Sequence, residues 1–131
     1  MKNFHVGIKS IIVKQNKVLL LKRYDHSEFW DIPGGRINDN ESIEQALVRE
    51  LKEEVTNVKD IKIKEILSAW RLNKDILPDT SLVLIFYRVD ADFGQKPELS
   101  EEHIDWKLAT KSEALKLAEP STHEAIDRAF G

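Results

Sequence analysis

The stretch Arg49–Glu54, written RELKEE, holds three glutamates at helical spacing: Glu50, Glu53 and Glu54. Residues at i, i+3 and i+4 lie on one side of a helix, so their carboxylates can bind one ligand together. They stand near the predicted end of a helix, where the macrodipole favours cations, and they repel one another. A hard divalent cation such as Mg²⁺ takes oxygen ligands and commonly bridges them to substrate phosphates. The alternative is a solvated, charged helix face.

Helical periodicity distinguishes these two interpretations. At about 100° per residue, Glu50 and Glu54 fall inside the apolar stripe of the helix and Glu53 lies on its edge. Desolvation and mutual repulsion oppose three unpaired, partly buried carboxylates, so a cation at this face is favoured. The chain has no cysteine and no histidine at matching helical spacing, which disfavours zinc. The stripe comprises Ile43, Ala46, Leu47 and Leu51, and the solvent side carries Gln45, Arg49 and Lys52.

The elements around this helix predict an α/β or α+β sandwich, in which helices cover a mixed sheet. Ser42 and Gln45 form a capping box at the start of the acidic helix, and Pro33-Gly34-Gly35 precedes it in a loop. A second capping box, Ser121 with Glu124, predicts the start of the last helix. Predicted strands cover residues 4–13, 18–21, 61–72 and 82–89, with a short one around 106, and predicted helices cover 43–55, 112–118 and 121–130.

The order Gly35, five residues, Glu41, seven residues, then Arg49–Glu54 resembles the signature box of the Nudix hydrolases. The resemblance implies a Nudix-like α/β/α sandwich with a mixed β-sheet, and hydrolysis of a nucleoside diphosphate linked to another group. One departure follows the last glutamate, where the box has any residue, glycine and an aliphatic residue. This chain has Val55, Thr56 and Asn57 there, and we expect Asn57 to act as a left-handed C-cap, with Val58 making the aliphatic contact.

The resemblance also implies roles for individual residues. The Mg²⁺ or Mn²⁺ ligands would be Glu50, Glu54, Glu53 and the Gly34 carbonyl. Arg49 would pair with a glutamate, and Glu41 would be structural. The general base is Glu50 if it lies in the box, or Glu102 if it comes from a later loop, where Glu101 is a candidate distal metal ligand. The catalytic candidates are therefore Glu53, Glu50, Glu102 and Arg49.

Basic and aromatic residues outside the box are candidates for substrate binding. Arg23, Arg36 and Arg71 are, with Lys22, the candidate phosphate contacts, and Phe29 and Trp70 are among the aromatic residues that can stack on a base. We expect a nucleoside triphosphate or a nucleotide derivative as substrate. Two alternatives stay open: a non-catalytic, nucleotide-sensing Nudix-like module, and an interaction protein in which RELKEE is only a charged face.

Length and composition limit the remaining classes. The 131 residues predict one domain over 1–131, with 41% hydrophobic and 33% charged residues. A net charge of −3 with interspersed signs argues against generic binding to nucleic acid or to an anionic membrane. The absence of cysteine and an N-terminus too interrupted by charge for a signal peptide predict a cytoplasmic protein. Homodimers are common in the resembled family, so a homodimer is compatible with the sequence.

Overall fold

A computed structural model describes all 131 residues, and it consists of one mixed sheet with helices on both faces. This arrangement confirms the predicted α/β/α sandwich. None of the helices is long and apolar enough to cross a membrane. The strands are β1 (Asn3–Lys14), β2 (Lys17–Arg23), β3 (Gly34–Arg36), β4 (Lys59–Arg71), β5 (Thr80–Asp92) and β6 (His103–Ala109); the helices are α1 (Ile43–Glu54), α2 (Lys111–Leu117) and α3 (His123–Ala129).

The sheet has the strand order β4-β5-β1-β2-β6, and β3 pairs with β1 beside this path. β1 and β5 run parallel from Asn3 opposite Thr80 to Ile12 opposite Val89, whereas the other pairs are antiparallel. β1 and β2 form a hairpin, with Val13 opposite Val18 and Lys14 opposite Lys17. Its two-residue turn has positive φ at both positions, the conformation that matches the twist of hairpin strands.

The sheet opens between β1 and β2. These strands pair only next to their turn, and β3 occupies the first half of the same edge of β1. Leu21 of β2 exchanges two backbone hydrogen bonds of 2.8 Å with Asp31, and Ser10 N donates to Pro33 O over 2.8 Å. The segment from Asp31 to Gly35 is therefore inserted between two strands, and the two glycines lie within the sheet rather than in an outer turn.

Apolar side chains fill both sides of the sheet. On one face α1 buries Ala46, Leu47 and Leu51, and on the other face α2 and α3 bury a set of alanines together with Ile126. Fully burying a leucine or isoleucine side chain stabilises the fold by about 1.5–3 kcal/mol. Because both faces are covered, the central strands are nearly continuous apolar runs, as the sequence of β5 indicates.

The N-terminus of α1 has the predicted capping box. Ser42 Oγ accepts from Gln45 N over 3.1 Å, and Gln45 Oε1 accepts from Ser42 N over 2.9 Å. One residue of the predicted apolar stripe is out of place, because Ile43 in the first turn is exposed.

The predicted C-cap of α1 is wrong. The helix ends in an extended residue, Val55 (φ −121°, ψ 90°), and Asn57 does not have a positive φ. The chain leaves the helix extended because Val55 forms a β-bridge with Leu99. Val58 is buried in the core on the α1 face, as expected.

The second predicted capping box is also wrong. Residues Pro120–Thr122 form a 3₁₀ turn, and α3 begins at His123 without a side-chain cap. Glu124 instead pairs with Arg128 one turn later, at 2.6 Å. Helix α2 begins with a capping box that was not predicted, in which Thr110 Oγ1 accepts from Glu113 N over 3.2 Å.

Candidate active site

Glu54 is the most deeply buried acid of the site, with 3% of its surface exposed. Its Oε2 accepts from Gly34 N over 2.7 Å, which joins the end of α1 to the inserted glycine segment. Burial raises the pKa of Glu54 to about 8, although the Gly34 N–H and the charge of Lys9 favour the ionised form. The helical angle of Glu54 predicted this inward position.

Glu102 and His103 approach Glu54 from the start of β6. One ligand atom from each of these three residues lies within 4.8 Å of the others. His103 is buried, and neither of its ring nitrogens has a hydrogen-bond partner in the chain. Two carboxylates beside buried, unpartnered nitrogens need a further partner, and a divalent cation with its water ligands fits this need. This cluster, Glu54, Glu102 and His103, is called the acidic cluster below.

Arg49 forms hydrogen bonds with the carboxylates of two other acids, Glu41 and Glu50. Its Nε and Nη2 bind the two carboxylate oxygens of Glu41 at 2.5 and 2.8 Å, and its Nη1 donates to Glu50 Oε1 over 2.8 Å. Arg49 Nη2 also donates to Arg36 O over 3.1 Å. Its hydrogen bonds to the Glu41 and Glu50 carboxylates hold the pKa of Arg49 well above its usual range. Arg49 therefore lies over the loop before α1 instead of extending into solvent.

The two glycines allow the acids to approach the sheet closely. A Cβ on Gly35 would overlap the carboxylate of Glu50, and a Cβ on Gly34 would overlap the carbonyl oxygen of Ile8. Glycine is required here by space, because any side chain would displace either Glu50 or the sheet.

Lys9 and Asp31 form an ion pair beside the acidic cluster, with Lys9 Nζ 3.2 Å from Asp31 Oδ1. Burial opposes ionisation of Asp31, but the charge of Lys9 and the hydrogen bonds that the carboxylate accepts together outweigh burial and lower the pKa of Asp31. Lys9, Asp31 and His103 were not predicted as site residues from the sequence. The inward direction of Lys9 could have been predicted, because the period of two along a strand places Lys9 on the same face of β1 as the buried Ile11.

A cleft of about 470 Å³ brings together three of the predicted substrate residues: Arg23, Phe29 and Trp70. It lies on the sheet face opposite α1, and Lys9 and Asp31 also line it. Its polar and apolar walls suit a ligand with a flat ring at one end and negative charge at the other. Leu72, Leu82, Leu84 and Phe86 line it from the sheet, and Glu119, Pro120, Ser121 and Thr122 from the α2–α3 connection.

The remaining predicted residues lie elsewhere. Arg36 lines a separate groove of about 860 Å³, and Arg71 stacks on Phe4 of that groove at 4.9 Å. Glu101 is exposed and is not part of the acidic cluster. The side chain of Glu53 is 58% exposed and touches only Arg49, at 3.5 Å, so Glu53 is not partly buried as the helical angles predicted. Its position on the edge of the stripe leaves it facing solvent.

The mixed sheet between helices, with an acidic helix end against an inserted glycine segment, defines the class: an α/β/α protein with a site fit for a divalent cation. The sequence model of the NUDIX domain matches residues 1–130, and the chain belongs to this family. This match confirms the resemblance to the Nudix hydrolases that the signature box indicated.

Individual relatives agree with this assignment. The chain is 44% identical over 57 residues to an 8-oxo-dGTP diphosphatase of Proteus vulgaris, covering 41% of this chain and 51% of the relative. It is 33% identical over 92 residues to an ADP-ribose pyrophosphatase of Methanocaldococcus jannaschii, covering 69% and 53%. The chain thus spans about half the length of these relatives. The structure of a MutT protein from Methanosarcina mazei has the same fold, with a TM-score of 0.77 at 22% identity, covering 98% of this chain and 94% of the other.

Proposed function

We propose that the protein is a Mg²⁺- or Mn²⁺-dependent hydrolase that cleaves a pyrophosphate bond in a nucleoside triphosphate or another nucleoside diphosphate derivative. The observation that carries this proposal is the convergence of Glu54, Glu102 and His103 at the glycine segment, where Glu54 accepts from Gly34 N. Membership in the NUDIX domain family and the diphosphatase and pyrophosphatase names of two relatives support the same reaction.

The residues that would hold the cation are Glu54, Glu50, Glu102, His103 and the Gly34 carbonyl, with Glu53 contributing from the solvent side. When bound, the cation supplies charge neutralisation of the diphosphate and a lower pKa for the attacking water. Arg49 keeps Glu50 pointed toward Gly35, because Arg49 is itself fixed by Glu41.

We assign Glu102 as proton acceptor, through the carboxylate oxygen that would not hold the cation. Glu50 is less suited to this role, because its Oε1 already accepts from the Arg49 guanidinium, which competes with an incoming proton. The Glu102 side chain makes no ion pair with a neighbouring cation. It is exposed, so water and substrate can reach it. General base catalysis by a positioned carboxylate contributes about 10²–10⁴-fold to a rate.

The residues that line the cleft would orient the substrate. Trp70 and Phe29 would stack on the base, while Arg23 and Lys9, which also line the cleft, would face the phosphates. We further assign the protein to the cytoplasm, with a small nucleotide rather than a nucleic acid as its partner and a homodimer as its oligomeric state. Sedimentation of the purified chain tests the last assignment.

A hydrolysis screen tests the proposed reaction. Nucleoside triphosphates including 8-oxo-dGTP, nucleotide sugars, ADP-ribose and dinucleoside polyphosphates are incubated with the protein and Mg²⁺ or Mn²⁺, and released phosphate or nucleotide is measured. We expect turnover of at least one class, dependent on the cation and lost in Glu54→Gln. The control, Glu44→Gln, changes an exposed acid on the same helix and should keep parental activity. Binding without turnover of every compound would favour the nucleotide-sensing alternative.

A further inference from the structure

The loop that delivers Glu102 to the acidic cluster is fastened to the end of α1. This loop, residues 93–102 between β5 and β6, is called the carboxylate loop below. Thr56 N donates to Glu98 O over 2.8 Å, and Ser100 N donates to Glu54 O over 3.1 Å. The residues just after α1 therefore lie alongside the second half of the carboxylate loop like a short pair of strands.

The side chain of Asn57 forms hydrogen bonds with the first half of the same loop. Its Nδ2 donates to Phe93 O and to Lys96 O, each over 3.1 Å, and its Oδ1 accepts from Glu98 N over 2.9 Å. One side chain thus uses both amide hydrogens and its oxygen on three backbone groups of the carboxylate loop. Few residue types can replace it, because the site needs two donors and one acceptor within a short reach.

These bonds bear on the site because its ligands come from two separate elements. Glu54 belongs to α1, whereas Glu102 and His103 follow the carboxylate loop, and their ligand atoms lie within 4.8 Å. Asn57 is three residues beyond Glu54, and the bonded residues Glu98 and Ser100 stand four and two residues before Glu102. A shift of the loop against α1 would change the separation of the two carboxylates. Cation affinity depends on that separation, because the ligands must be held close to the geometry that the cation requires. A loop that is fixed in place also loses less entropy when the cation binds.

We propose that Asn57 is a positioning residue: it fixes the carboxylate loop against the end of α1, so that Glu102 and His103 stand at the spacing from Glu54 that a divalent cation requires. This inference rests on the proposed function. It gives Asn57, which is not a left-handed helix cap, a role through its side chain. Residues that orient metal ligands typically change metal affinity or activity by about 10–100-fold when they are replaced.

The test compares Asn57→Ala with Thr110→Ala. The second substitution removes a capping hydrogen bond of α2 and serves as a stability control away from the acidic cluster. Hydrogen exchange of the metal-free proteins and calorimetric titration with Mn²⁺ are measured for both variants. In Asn57→Ala we expect about tenfold faster exchange in the carboxylate loop and about 10–100-fold weaker Mn²⁺ binding, with a lower kcat at nearly unchanged KM. In Thr110→Ala the Mn²⁺ affinity should stay within about twofold of the parent.

A milder variant keeps the test decisive if Asn57→Ala does not fold. Asn57→Asp retains the acceptor for Glu98 N but directs a carboxylate at the carbonyl oxygens of Phe93 and Lys96, so it should also weaken Mn²⁺ binding. Parental Mn²⁺ affinity in a folded Asn57 variant would overturn the inference and leave the proposed function intact. A parent protein that binds no Mn²⁺ would overturn the proposed function itself.

Discussion

Glu54 combines deep burial with an ionisable group, and a cation beside it would favour its charged form. In the absence of metal its pKa is raised to about 8 by burial, from an ordinary value of 4.5. Between these two pH values the unfolded chain carries an ionised Glu54 and the folded chain a protonated one. Folding is therefore increasingly penalised as the pH rises through this window, and each unit of pKa shift corresponds to about 1.4 kcal/mol.

Replacing Glu54 by glutamine should remove that penalty. We expect the unfolding free energy of metal-free Glu54→Gln to exceed that of the parent by a margin that is small at pH 4.5 and grows toward pH 8. Urea unfolding in a chelator at several pH values measures this margin. A margin that does not change with pH would contradict the raised pKa.

The adjacent acids Glu101 and Glu102 offer a matched pair for the proton-acceptor role. Glu102 belongs to the acidic cluster and Glu101 does not. We expect Glu102→Gln to lower kcat by about 10²–10⁴-fold, the usual contribution of a general base, while Glu101→Gln stays within about twofold of the parent. Equal rates for the two variants under saturating substrate and Mg²⁺ would rule out this assignment.

Individual site residues were predictable where helical periodicity decides a side-chain direction. The angle of Glu54 on α1 indicated its burial, and the signature box from Gly35 to Glu54 sufficed to identify the family. His103 and Asp31 were not predictable in this way, because they reach the site through loop conformation and through strand insertion. These arrangements depend on contacts between distant parts of the chain.

At the scale of elements, capping boxes mark where α1 and α2 begin. Glu113 in the box of α2 accepts from Thr110 N over 3.0 Å and pairs with Lys107 at 3.2 Å. The Thr110 backbone and side chain, together with Lys107, lower the pKa of Glu113 to about 2, below its ordinary value of 4.5. Its contribution to stability is therefore fully present above about pH 4.5 and is lost as the pH falls toward 2.

The variant Glu113→Gln isolates this charge effect. Glutamine can make the same capping-box hydrogen bonds, as Gln45 does at α1, but it does not ionise. We expect the parent to be more stable than Glu113→Gln at pH 6 and this advantage to shrink at pH 3. Urea midpoints at the two pH values measure it, and an advantage that persists unchanged in acid would contradict the lowered pKa.

The element boundaries show where local sequence stops being informative. The Ser121 and Glu124 pattern matched a capping box, but Pro120 begins a 3₁₀ turn that includes Ser121, so the helix starts two residues later. Strand β5 extends beyond its apolar run at both ends, because its polar terminal residues still pair with β1 and β4. Pairing partners decide such ends, and the partners are remote in sequence.

At the scale of the whole molecule, the cleft exists only because the sheet, the β2–β3 loop and the α2–α3 connection meet. Trp70 contributes to it from β4, while the next residue, Arg71, faces the opposite side and stacks on Phe4. Stacking on a base contributes about 1–3 kcal/mol. We expect Trp70→Ala to raise the KM for a nucleotide about tenfold or more with little change in kcat, whereas Arg71→Ala should leave KM near the parental value. Steady-state kinetics on the substrate found in the screen decides between these outcomes.

The parallel pairing of β1 with β5 and the insertion of the glycine segment are global features of the same kind. The sequence predicted a mixed sheet but not which strands lie side by side, because residues 3–12 and 80–89 carry no local signal for each other. This arrangement brings Lys9, Asp31 and Glu54 close together and thus forms the site.

Calorimetric titration with Mn²⁺ at pH 7.5 tests the central claim most directly, namely that the acidic cluster holds a divalent cation. Parent protein, Glu54→Gln and the control Glu44→Gln are compared. We predict that the parent and Glu44→Gln bind Mn²⁺ with the same affinity and that Glu54→Gln binds at least about tenfold more weakly, because one charged ligand is lost. Equal Mn²⁺ affinity in all three proteins, or no binding by the parent, would contradict the claim.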